Sequence, residues 1–93
     1  MKIINAQEFK EVINENAIVS FSTSWCGPCK MLVPILETIT EVPIYKVDAD
    51  TESELCLEYK IRTVPTIISF KEGKEYKRTI GNQPKNKILE LLD

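Results

Sequence analysis

The stretch Ser24-Trp25-Cys26-Gly27-Pro28-Cys29-Lys30 decides how the rest of the chain is read. An apolar, strand-like run, Ala17-Ile18-Val19-Ser20-Phe21, precedes it, and Leu32, Ile35, Leu36 and Ile39 follow at helical spacing on one face. The two cysteines are separated by two residues and can close a small disulfide ring. A strand leading into a helix here places the first sulfur at the helix N-terminus, where unpaired N–H groups and the helix dipole favour a thiolate. Thiolate is the attacking form of cysteine, so the arrangement predicts a reactive thiol. A C-x-x-C pair beside a βαβ pattern in an intracellular chain points to redox chemistry as well.

Two other uses of such a pair are weaker. A structural zinc site needs two further ligands, and the chain has no histidine and only Cys56 besides this pair. An inert structural disulfide is poorly served by a Gly-Pro spacer at a helix start. Residues 1–93 suffice for one core but not two, so a single domain is expected, with no metal. The formal charge of −2 is spread without a block of one sign, which argues against nucleic acid as a partner. Met1-Lys2-Ile3-Ile4-Asn5 lacks the apolar segment of a signal peptide, and no apolar run is long enough to span a bilayer. Together these predict a cytoplasmic protein without membrane contact, in a reducing compartment where such pairs are catalytic.

In chain order, Lys2-Ile3-Ile4 reads as a short edge strand. Asn5 and Glu8 have the spacing of a capping box, flanked by Ile4 and Phe9 as a hydrophobic staple. Phe9, Val12 and Ile13 form the apolar stripe of that helix, which Asn14-Glu15-Asn16 ends. Ile18 to Ser22 is the second strand, and the helix opened by the cysteine pair is predicted to reach about Thr40 with Pro34 inside it. A third strand covers Ile44 to Asp48. Thr51 with Glu54 suggests a second capping box, opening a short helix through Leu55, Cys56 and Tyr59. Thr66 to Phe70 and Glu75 to Ile80 form a hairpin around Glu72-Gly73. Pro84 is placed at the first position of a last helix carrying Ile88, Leu91 and Leu92. The order βαβαβαββα predicts an α/β domain: a central mixed β-sheet with helices on both faces.

Trp25-Cys26-Gly27-Pro28-Cys29-Lys30 resembles the active site of the thioredoxin family, and the element order is similar to the thioredoxin fold along nearly the whole chain. The resemblance implies a redox-active Cys26–Cys29 disulfide and no bound cofactor. Val64-Pro65-Thr66 resembles the family's cis-proline segment, which lies beside the cysteines and would let the Val64 backbone pair with an extended client chain. Gly73 matches the hairpin glycine and Gly81 a glycine of the substrate groove. Trp25, Gly27, Pro28, Val64, Pro65 and Gly81 are thereby expected to bind substrate. The implied mechanism is disulfide exchange: Cys26 attacks a client disulfide, and Cys29 resolves the mixed disulfide.

The chain departs from the family pattern where a buried aspartate usually lies on the strand beneath the resolving cysteine. Ser20 occupies that position, whereas the lysine that accompanies the aspartate is present as Lys46. A serine hydroxyl is no substitute base at neutral pH, so both residues are expected to modulate the second step. The segment between Pro34 and Lys46 is also shorter than usual. Cys56 occupies a position that the family often fills with alanine, and it reads as a small buried hydrophobe.

The function implied is a protein-disulfide reductase acting on disulfide-containing clients, recharged by an NADPH-dependent thioredoxin reductase and expected to be monomeric. A glutaredoxin-like reductase recharged by glutathione is the alternative enzyme, because Thr63-Val64-Pro65 also resembles that family's segment. Against it, the spacer is Gly-Pro and Gly81 is followed by Asn82. A thioredoxin-fold binding subunit of a larger assembly would need the fold without the thiols.

Overall fold

The computed structural model describes all 93 residues. Its first helix, α1 (Ala6–Val12), begins with reciprocal capping. The Glu8 N–H donates to Asn5 Oδ1 at 2.8 Å, and the Asn5 N–H donates to Glu8 Oε1 at 3.0 Å. The Asn5 N–H, helped by Lys2, holds the Glu8 carboxyl below the usual carboxylate range. Ile4 and Phe9 are both buried on either side of the cap, as a staple requires.

The remaining elements are β1 (Lys2–Ile3), β2 (Ala17–Ser22), α2 (Gly27–Glu37), β3 (Ile44–Asp48), α3 (Ser53–Glu58), β4 (Thr66–Lys71), β5 (Lys74–Ile80) and α4 (Lys85–Leu89), which ends in a 3-10 turn, Glu90–Leu92. The five strands form one mixed sheet in the order β1-β3-β2-β4-β5. β3 runs parallel to both β1 and β2, β4 is antiparallel to β2, and β5 closes a hairpin on β4. Every residue of the central strand β2 is buried, and its period-2 alternation divides the core between the two faces. Val19, Phe21, Val47, Ile68 and Phe70 meet α1 and α3 on one side. Ile18 and Ile67 meet Leu32 and Leu36 of α2 and Ile88 of α4 on the other.

Phe9 anchors the first of these layers. Its ring lies edge-on to Phe70 at 5.2 Å, Tyr59 at 5.3 Å and Phe21 at 6.1 Å between centroids, within the range favoured by aromatic pairs. The hairpin turn has positive φ at both central residues, 54° at Glu72 and 84° at Gly73, the pattern of a tight type I′ connection. The Gly73 N–H donates to the Ile13 carbonyl at 2.9 Å, docking the hairpin on the end of α1.

Three local expectations differ from the structure. α3 starts at Ser53 behind Glu52 without a side-chain cap, so Thr51 and Glu54 form no capping box. The Thr51 hydroxyl instead donates to the Asp48 carbonyl at 3.2 Å, and Glu52 reaches across to accept the Ala6 N–H at 2.9 Å. α2 ends at Glu37, earlier than Thr40, with Pro34 kept inside a continuous helix. Pro34 has no N–H to offer the carbonyl one turn earlier. Pro84 caps α4 from outside, with extended backbone, and does not form its first residue.

Phe9→Ala should lower the unfolding free energy by about 3–5 kcal/mol, the cost of removing a buried phenyl ring, whereas Asn5→Ala should cost about 1 kcal/mol for the lost cap. Urea unfolding followed by far-ultraviolet circular dichroism measures both; equal effects would show that the aromatic layer is not the dominant contribution.

Candidate active site

The cysteine pair lies where β2 turns into α2. Cys26 has extended backbone and is the N-cap of the helix; its sulfur accepts the Cys29 N–H at 3.1 Å, as a capping oxygen would. Gly27 and Pro28 fill the first turn, where the missing proline N–H leaves no helical hydrogen bond unmade. Cys26 and Cys29 are joined as a disulfide. The helix N-terminus therefore faces the sulfur of Cys26 directly, and its N–H groups stabilise negative charge there once the bond is opened.

Trp25 is 68% exposed, which makes it a surface plate beside the cysteines and no part of the core. Its indole N–H donates to Asp50 Oδ2 at 2.8 Å, and the Asp50 N–H in turn donates to Asp48 Oδ1 at 2.9 Å. The Cys26 sulfur lies 3.8 Å from the Val64 carbonyl oxygen, and the Val64–Pro65 peptide bond is cis. Gly81, with φ 90°, donates its N–H to the Pro65 carbonyl at 2.8 Å.

A cavity of about 760 Å³ opens beside these groups. It brings together Trp25, Cys26, Gly27, Pro28 and Val64 of the residues expected from the sequence. Pro65 is buried behind it, and Gly81 lies beyond Pro65 outside the lining. Leu57 and Ile61, which the sequence reading did not select, add apolar wall, and Asp50 holds the indole. A signal for Asp50 did exist: it follows the C-terminal end of a parallel strand, the edge at which α/β sheets bind ligands.

Ser20 is buried on β2, and its register partner across the parallel ladder is Lys46. Lys46 is half-buried and makes no ion pair. No group of three or more His, Cys, Asp or Glu side chains is placed to hold a metal ion. No helix is long and apolar enough to cross a membrane.

Comparison with known proteins agrees with this geometry. The thioredoxin family model matches residues 1–93. A thioredoxin of Mycoplasmoides gallisepticum is 41% identical over 96 residues, covering 97% of this chain and 96% of its own. Among solved structures, a mutant thioredoxin of Halobacterium salinarum superimposes with a TM-score of 0.90 at 30% identity, over 97% of this chain and 85% of that one. The Malassezia sympodialis thioredoxin gives 0.88 at 33% identity, over 99% and 88%. The chain belongs to the thioredoxin family. As a thioredoxin-family protein with its cysteines paired, it is a thiol–disulfide oxidoreductase that reduces protein disulfides. Its partners are accordingly disulfide-containing clients and a reductase.

Cys56 lines the same cavity but is only 8% exposed. Burial pushes its thiol above the ordinary range, with the charges of Glu52 and Asp48 adding to the effect. In a Cys26→Ser/Cys29→Ser variant, where Cys56 is the remaining thiol, alkylation by iodoacetamide at pH 7 should be more than about tenfold slower than for an unstructured peptide cysteine. The rate should still be rising at a pH where that of an unstructured cysteine has levelled off, and become ordinary in denaturant; a fast reaction at pH 7 in the folded protein would mean that Cys56 is poised for exchange.

Proposed function

We propose that Cys26 is the nucleophile and Cys29 the resolving thiol of a cytoplasmic, monomeric, single-domain protein-disulfide reductase. One observation carries the assignment: Cys26 is both the helix N-cap and a wall of the open cavity, whereas Cys29 lies in the first turn and is not part of that wall. Exposure does not distinguish them, since the disulfide leaves 5% and 4% of the two residues accessible.

The Cys26 thiolate attacks one sulfur of a client disulfide. A Cys26–client bond forms, the client S–S bond breaks, and the other client sulfur leaves with the electron pair and takes up a proton. Cys29, once deprotonated, attacks the Cys26 sulfur; the Cys26–client bond breaks and the second client thiol is released. Two electrons have moved to the client, and the Cys26–Cys29 disulfide is left. Because the two thiols are one helical turn apart, the second attack is intramolecular and outpaces rescue by free thiols.

Trp25, Pro28 and Val64 offer the client a flat ring, a short turn and a backbone edge. Gly27 lets the chain pass close, Pro65 presents the Val64 edge, and Gly81 supports Pro65 from behind. The positive charge of Lys46, on the face of the sheet that α2 covers, favours the Cys29 thiolate, and Ser20 replaces a base with a neutral hydroxyl. No bound cofactor is required, because the electrons reside in the cysteine pair. An NADPH-dependent thioredoxin reductase returns it to the dithiol.

Cys29→Ser should accumulate mixed disulfides with a client through Cys26, and Cys26→Ser should accumulate none, as read on non-reducing gels. Trapping by Cys26→Ser alone would reverse the roles. The oxidised protein should be reduced by NADPH with a thioredoxin reductase and only slowly by glutathione; efficient reduction by glutathione alone would favour the glutaredoxin-like reading.

A further inference from the structure

The resolving step requires Cys29 to lose a proton, and the position where the family resemblance places a base holds Ser20. Cys29, Leu32 and Leu36 form one stripe of α2, and the leucines of that stripe pack with Ile18 of β2. α2 starts beyond the C-terminal end of β2 and runs back across the sheet. Its later residues therefore meet Ile18, and Cys29 lies over the end of the strand that carries Ser20 and Ser22.

On the neighbouring strand the register pairs Ser20 with Lys46 and Ser22 with Asp48. Directly paired residues project from the same face, so both hydroxyls, the ammonium and the carboxylate lie on the side that α2 covers. Ser22 is 2% exposed, and its Oγ finds no hydrogen-bond partner in the protein. Buried hydroxyls are hydrogen-bonded as a rule, to protein or to water. Asp48 is half-buried, at the rim of the sheet, and only its Oδ1 is engaged, by the Asp50 N–H at 2.9 Å.

We propose that Asp48 is the proton acceptor for Cys29 in this protein, reached through the Ser22 hydroxyl and water held there. The Cys29 S–H proton passes by way of Ser22 to the Asp48 carboxylate and from there to solvent. The electron pair left on Cys29 forms the Cys26–Cys29 bond, the Cys26–client bond breaks, and the client sulfur departs with its pair and is protonated from water. This chain thus has no carboxylate on the strand beneath the resolving cysteine but one on the neighbouring strand, with the Ser22 hydroxyl as its register partner.

This inference rests on Cys29 being the resolving thiol, and the test separates the two ideas. A peptide cysteine joined by a disulfide to nitrothiobenzoate reports both steps. Attack at the peptide sulfur releases the coloured thiolate, and mass spectrometry of acid-quenched samples follows decay of the Cys26–peptide adduct. Asp48→Asn, which keeps the acceptor for the Asp50 N–H, should leave colour release unchanged and slow adduct decay at pH 7 about tenfold or more, near the lower end of general-base effects. Ser22→Ala should slow the same step, whereas Ser22→Thr, which keeps the hydroxyl, should not. Ser20→Asp added to Asp48→Asn should restore the rate, a rescue that a merely structural role for Asp48 would not give. Adduct decay at the wild-type rate in Asp48→Asn, equal slowing of both steps, or failure of the rescue would overturn the proposal. An adduct found on Cys29 would instead overturn the assignment of roles on which it rests.

Discussion

A helix must find acceptors for its first N–H groups, and in this protein one of those acceptors is the sulfur of Cys26. The contact from the Cys29 N–H, 3.1 Å long, makes that sulfur part of the helix cap. Much of the architecture follows from keeping it in place. β2 must be central so that its end is rigid, α2 must start at once, and the first turn must tolerate a proline. The buried stripe of Leu32 and Leu36 then clamps α2 to Ile18 and Ile67, which fixes the direction of the helix dipole relative to the cavity.

Local chemistry was legible in the sequence wherever the partners were close in the chain. The Asn5–Glu8 box, the Glu72-Gly73 turn and the alternation of β2 all depend on neighbours within a few residues, and all appear as expected. The Thr51–Glu54 spacing has the same form but loses to a competitor: the Thr51 hydroxyl is taken by the Asp48 carbonyl, and α3 starts two residues further on, at Ser53. A capping signature states what a hydroxyl can do, and the turn preceding it decides which acceptor is nearer.

The site divides in the same way. Trp25 through Cys29 could be read directly, since one short segment carries them. Asp50 could not be read as the partner of Trp25, because it lies 25 positions away and nothing in the intervening segment specifies that contact. The pairing of Ser22 with Asp48 was equally hidden, since it requires the strand order β3-β2 and a register that only the assembled sheet defines. Cys56 was legible as a small apolar residue, but its place in the wall beside Cys26 depends on how α3 docks.

The chain contains a single tryptophan, and it is the exposed, hydrogen-bonded indole of Trp25 next to the disulfide. Its fluorescence is therefore a local signal. Unfolding moves a ring that is already mostly in water into water, and the emission colour has little distance to travel. Opening the neighbouring disulfide changes what the excited ring can transfer an electron to. Emission intensity in this protein thus reports the oxidation state of one bond far more directly than the integrity of the fold, whose inner fluorophores are the half-buried Tyr45 and Tyr59, the latter edge-packed against Phe9.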